Sequence, residues 1–200
     1  MENAGELMVV SFAGSTQVAV GPLLTVALAT KRLIDQGTEE NVLVFNMATS
    51  EMVEVDFRGS EKQFAARIER QIAPKVDSDA AEPRGVGRPK LGVVAREVTL
   101  MPRHWEWLAQ QPGGASVALR KLVEDARRSN VQKDQVRQAR EAAYRFMSAM
   151  AGDLVGFEEA TRALFGGDVR KFKSLIRAWP ADVAKHLKLL TTSVFGEEDR

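Results

Sequence analysis

Cysteine is absent from this 200-residue chain, and its absence removes several classes of function at once. Without a thiol the chain has no disulfide framework, no thiolate metal site and no cysteine nucleophile. A chain without cysteine also fits a reducing compartment, and we expect a cytoplasmic location.

Long apolar runs are absent as well. No stretch of about 18 apolar residues occurs, so we expect no transmembrane helix. Glu2 and Glu6 interrupt the first segment, which argues against a secretory signal peptide.

Histidine is scarce, since only His104 and His186 occur. They fall in different predicted helices, and neither has another histidine four residues away. Phosphate-loop, nucleophile-elbow and dinucleotide-binding patterns are missing too. We therefore expect no metal, no cofactor and no catalytic activity; a carboxylate-based hydrolase is the least favoured alternative.

The charge is unevenly distributed along the chain. The net charge is +1, yet residues 84–140 carry 12 basic and 5 acidic side chains, whereas residues 1–83 are acidic overall. A basic segment that follows an acidic one is typical of a nucleic-acid-binding protein.

Apolar periodicity predicts an α+β fold. Residues 1–72 are predicted to form a small ββαββα domain with a half-buried antiparallel sheet. Its first helix begins after Pro22, and Ser60 caps its second helix, over 60–72. The predicted strands are 7–12, 16–20, 42–46 and 52–57.

Proline and glycine are concentrated in residues 73–93, which predicts a mobile linker. Within it, PRGVGRPK at 83–90 resembles an AT-hook, in which arginines reach into the A·T minor groove. On this interpretation Arg84, Arg88 and Lys90 contact the minor groove or the phosphates. The alternative is a basic linker without a binding role.

Residues 94–128 combine a strand, a helix, a Gly-Gly turn and a second helix. The strand is VAREVTL, and Gly113 and Gly114 make the turn. This pattern resembles the ribbon-helix-helix unit of small bacterial repressors, in which two chains pair their strands and the ribbon enters the major groove. The predicted dimer core consists of Val98, Leu100, Trp105, Leu108, Leu119 and Leu122.

The strand register decides which residues of this unit face DNA. In the preferred register Glu97 and Thr99 face the groove, with Arg96 beside them. A shift by one residue exposes Arg96 and Val98 instead. Ser116 is predicted to cap the second helix, whose free N–H groups attract a phosphate, and Arg120 adds a cation nearby. The alternative is a strand and helical hairpin without a DNA role.

The last part of the chain, residues 129–200, is predicted to be all helical. We expect helices near 116–151, 155–165, 168–178 and 180–193, with a break around Ser129 and Asn130.

Several longer stretches resemble a bacterial family known as domain of unknown function 2239. They are VLVFN, EVDFRGS, residues 87–128, residues 141–168 and WPADV. The resemblance covers nearly the whole chain and implies that its parts form one architecture, but it implies no activity.

Together these patterns favour a homodimeric DNA-binding protein, a transcriptional regulator associated with the nucleoid. The acidic amino-terminal domain would then serve as a sensor for an effector or as a docking module for a protein partner. The alternative is a protein-interaction or adaptor module with no nucleic-acid role.

Overall fold

A computed structural model describes residues 7–72, 94 and 96–195 of the chain. Within these residues the fold is α+β and mostly helical, with three strands and eight helical segments. The chain divides into two compact units. The first combines residues 1–73 with residues 132–200, and the second comprises residues 74–131.

The first unit is built on a three-stranded antiparallel sheet. Strands β1 (Met8–Ala13), β2 (Thr16–Pro22) and β3 (Val42–Asn46) have the order β2-β1-β3. Gly14, at φ 53°, makes the tight turn between the first two strands. The three strands predicted at 7–12, 16–20 and 42–46 are confirmed.

Two helices cover one face of the sheet. They are α1 (Leu23–Asp35) and α2 (Glu61–Ile72). The predicted cap of the second is confirmed, because Ser60 Oγ accepts from the Gln63 N–H at 3.4 Å while Gln63 Oε1 accepts from the Ser60 N–H at 3.2 Å. The core on this face consists of Val9, Leu23, Val26, Ala27, Val44, Phe64 and Ile68.

The predicted fourth strand, 52–57, is not formed, so the ββαββα order is not confirmed. Only Met52 makes an isolated bridge, to Phe45. The predicted alternation is still present, because the odd-numbered residues 53–57 are half-buried and the even-numbered ones exposed. The backbone leaves the sheet where Arg67 Nη2 of α2 donates to the carbonyl oxygens of Asp56 and Arg58, at 2.7 and 2.6 Å.

The remaining helices are α3 (Pro102–Ala109), α4 (Gly114–Met150), α5 (Phe157–Gly166), α6 (Val169–Ile176), α7 (Ala181–Leu190) and α8 (Thr192–Phe195). Helix α4 is continuous, so the predicted break at Ser129 and Asn130 is wrong. Both side chains donate to the carbonyl oxygen of Ala126, at 3.1 and 2.8 Å, which keeps their hydrogen bonds within the helix. No helix of the described residues is long and apolar enough to cross a membrane.

The second face of the sheet packs against the end of α4 and against α5, α6 and α7. Phe146 lies at its centre, with ring-centroid distances of 5.3 Å to Phe12 and 5.2 Å to Phe45. Sheet and carboxy-terminal helices therefore share one core, although the sequence placed them in separate segments. β1 is buried on both faces, not half-buried, which explains its nearly unbroken apolar sequence.

Candidate nucleic-acid interface

The second unit is organised around a helical hairpin. Pro102 occupies the first turn of α3, where its missing N–H costs nothing. Gly113 and Gly114 connect α3 to α4 with φ values of 86° and 74°, a left-handed conformation that disfavours other residues. A Cβ at Gly113 would lie 3.1 Å from the Val117 side chain. The predicted Gly-Gly turn is thus confirmed.

The hairpin buries few of its own apolar side chains. Leu108 is only 3% exposed, but Val98, Trp107 and Leu122 are 54%, 50% and 47% exposed. Trp105 and Val123 are exposed as well. A single chain therefore presents an apolar surface along this unit. Such a surface is unusual where a protein is in contact only with water.

Part of this surface is a shallow groove of about 250 Å³ whose accessible lining is entirely apolar. Its residues are Leu100, His104, Trp107, Leu108, Leu119 and Leu122. Four of the six predicted dimer-core residues are thus brought together, whereas Val98 and Trp105 lie outside the groove. Sequence reasoning missed Trp107 and His104, although His104 lies three residues before Trp107 and four before Leu108, a helical spacing that was a usable signal.

The predicted strand at 94–100 is not formed over residues 96–100, which have no regular secondary structure in the single chain. Arg96, Glu97, Val98 and Thr99 are all exposed. The physical reason is general, because one strand alone has no partner for its backbone groups. Arg84, Arg88 and Lys90 lie outside the described residues.

The amino end of α4 differs in detail from the prediction. The helix begins at Gly114, so Ser116 lies within its first turn and does not precede it as a cap. The first N–H groups of a helix have no partners within the helix, and this end is therefore electropositive. Arg120 lies one turn further on, exposed, with its Nε donating to the Ser116 carbonyl oxygen at 3.1 Å.

Cations along α4 differ in their availability. Arg127 and Arg128 both pair with Glu124, at 3.1 and 3.2 Å. No acidic side chain of the described residues lies within ion-pair distance of Arg120 or Lys121. Arg120 and Lys121, near the start of α4, are therefore open to an external anion.

The two histidines occupy different surroundings. His104 is exposed beside the apolar groove. His186 is buried in the first unit, with ring-centroid distances of 4.5 Å to Phe146 and 5.8 Å to Phe12, and burial lowers its pKa to about 4. Within the described residues no group of three or more acidic or histidine side chains has the arrangement of a metal site.

The comparisons with known proteins give a family and nothing further. The model of a family described as "uncharacterized protein conserved in bacteria (DUF2239)" matches residues 8–191. No curated protein and no solved structure matches the chain.

Proposed function

Because this chain belongs to the bacterial family DUF2239, whose description names no activity, we propose its function from geometry: a homodimeric DNA-binding protein that regulates transcription. Residues 94–128 form the dimerisation and DNA-binding unit, and residues 73–93 supply a basic arm. Such a protein works in the cytoplasm, on the nucleoid.

The observation that carries the proposal is the uncovered apolar surface of the second unit. A second copy of the unit would bury Val98, Trp107 and Leu122, which one chain leaves about half exposed. An isologous dimer is the simplest arrangement that covers such a surface, because each copy offers the patch that the other needs. Each fully buried Leu or Val contributes about 1.5–3 kcal/mol.

Residues 96–100 fit the same dimer. Two copies paired antiparallel would provide the ladder hydrogen bonds that no strand of the described residues gives this segment. With Val98 and Leu100 turned toward the helices, Glu97 and Thr99 project from the opposite face of the ribbon. A two-stranded ribbon fits the major groove, where threonine contacts bases or phosphates and glutamate accepts from cytosine.

The start of α4 supplies a sequence-independent contact. Its free N–H groups and helix dipole attract a phosphate, and the unpaired Arg120 and Lys121 follow on the next turn. Arg84, Arg88 and Lys90 would extend this contact to the minor groove or to further phosphates.

The test is DNA binding across a salt series, with random and A·T-rich duplexes, for the wild type and two triple variants. The first changes Arg84, Arg88 and Lys90 to alanine. The matched control changes Arg170, Arg177 and Lys188, three exposed cations of the first unit. We expect wild-type affinity to fall steeply with salt, the first variant to bind more weakly with a smaller salt slope, and the control to match the wild type.

A protein-interaction module is the second candidate. The groove of the second unit, lined by five apolar side chains and His104, favours it. Such a groove also suits an amphipathic helix of another protein. Absence of DNA binding even at low salt would reject the regulator and leave this candidate.

A further inference from the structure

A second groove lies in the first unit, on the opposite half of α4. It has a volume of about 690 Å³ and runs along α4 from Gln132 to Glu141, bounded by Phe165 of α5 and by Val194 and Phe195 of α8. Grooves that hold small molecules typically measure about 300–1,000 Å³.

Three cations of α4 line this groove. Lys133, Arg137 and Arg140 are spaced by four and three residues, so one helix face presents them together. Glu141 is the one acidic residue among the described residues of the lining. Arg137 also pairs with Asp134 at 3.0 Å, an exposed contact that contributes little and leaves the guanidinium accessible.

Arg140 is the most informative of the three. Its Nε is buried, and no described residue accepts a hydrogen bond from it. The guanidinium lies over the carboxy-terminal end of α5, where a Cβ at Gly167 would be 3.4 Å from Nη2. The helix dipole favours a cation at that place, but it leaves the Nε–H without an acceptor. A buried donor without an acceptor is unfavourable, and an anion that draws the guanidinium toward the groove would supply one.

An aromatic surface adjoins these cations. Phe165 is 48% exposed and lines the groove, and the ring of Tyr144 stands edge-on to it at a centroid distance of 5.6 Å. Two partly exposed aromatic rings beside three cations match a ligand that has both a negative group and a flat apolar body.

We propose that this groove binds a small organic anion that carries an aromatic ring. The carboxylate, sulfonate or phosphate group accepts hydrogen bonds from Arg140 and Arg137, and Lys133 adds charge. The ring packs against Phe165. This site is independent of the DNA-binding proposal, since it lies in the other unit and its test contains no DNA.

The test follows the side-chain Nε–Hε resonance of Arg140 by NMR, assigned as the signal that Arg140→Gln removes. The probe is 8-anilinonaphthalene-1-sulfonate, an aromatic anion. N-phenyl-1-naphthylamine, which has the same rings without the sulfonate, is the uncharged control. We expect the sulfonate to shift the Arg140 resonance saturably and the uncharged compound to leave it in place.

Two variants give the contribution of a second cation. Arg137→Gln should raise the dissociation constant read from this resonance by about tenfold, the effect expected from the loss of one hydrogen bond to a charged group. Arg128→Gln removes an exposed arginine of the same helix outside the groove and should not change it. The proposal is overturned by an Arg140 resonance that the sulfonate does not move, or that both compounds move alike.

Discussion

The backbone N–H of Gln17 donates to the Asp182 carboxylate at 2.9 Å, across 165 positions of sequence. Gln17 lies in β2, next to an irregularity in the pairing of β2 with β1. Ser11 pairs with Ala19, whereas the following residue, Phe12, pairs with Gln17. A bulge of this kind turns a backbone donor away from the ladder. Asp182 lies in the first turn of α7 and accepts this donor, so one hydrogen bond joins the sheet to the carboxy-terminal helices.

Removing that acceptor should destabilise the first unit. We expect Asp182→Ala to lower the free energy of unfolding by about 1–3 kcal/mol, because the partly buried Gln17 N–H loses its charged partner. Urea unfolding followed by circular dichroism measures the change. Asp182→Asn keeps a carbonyl acceptor and should lose less; equal losses in the two variants would contradict the role of the hydrogen bond.

His186 should make stability depend on pH. Burial between Phe12 and Phe146 lowers its pKa to about 4 in the folded chain, against an ordinary value of 6.5. Between these values the unfolded chain binds the proton and the folded chain does not, so stability rises with pH. The contribution is fully present above about pH 6.5 and falls by about 3 kcal/mol as the pH drops through 4.

Denaturant midpoints between pH 4 and pH 7 test this dependence. His186→Leu should remove the contribution of His186 to the slope without a large loss at pH 7, because no described residue forms a hydrogen bond with Nε2. His104→Leu, at the exposed histidine, serves as the control and should keep the wild-type slope. If His186→Leu keeps the wild-type slope, the pH dependence of stability comes from other groups.

Phe146 should be among the most sensitive positions of the core. It is fully buried and touches the rings of Phe12, Phe45 and His186. Phe146→Ala leaves a cavity that the surrounding rings fill poorly, and we expect a loss of about 3–5 kcal/mol. Tyr144→Ala, on the exposed side of the same helix, should cost less than about 1 kcal/mol by the same thermal or urea measurement.

The proposed dimer should be broken by one charge. Leu122→Glu places a carboxylate on the apolar surface of the second unit, where a dimer would have to bury it. Sedimentation velocity at about 10 µM should show a dimer for the wild type and a folded monomer for the variant. The matched control is Leu189→Glu, on an apolar residue of α7 that is also about half exposed, and it should remain a dimer. A wild-type monomer would remove the basis of the DNA-binding proposal.

Local patterns predicted most elements of this fold. Short strand-like runs and turn residues identified β1, β2 and β3, and Ser60 marked the start of α2. The predicted strand at 52–57 failed where the Arg67 side chain of α2 donates to the backbone carbonyl oxygen of Asp56, which a ladder would use, and to that of Arg58 just beyond the strand. Such competition depends on tertiary contacts that periodicity does not contain.

Which apolar faces meet could not be predicted either. Phe146 and Met147 lie on a buried helix face, yet nothing in the local sequence names Phe12 and Phe45 as their partners. The candidate interface shows the same limit, since helical spacing found Leu108, Leu119 and Leu122, while Trp107 completes the groove. The proposed pairing of residues 96–100 would depend on a second chain and cannot be read from one.

The shared core of the first unit has a consequence for synthesis on the ribosome. β1 and β3 emerge early, but the residues that cover their second face, from Ala143 to Leu187, are translated only after the greater part of α4. Phe12 and Phe45 of the sheet therefore stay uncovered until those later residues have been made. Closing contacts between such distant residues is slow. During that delay the nascent chain is a substrate for chaperones, and a truncation before α7 would leave the sheet prone to aggregation.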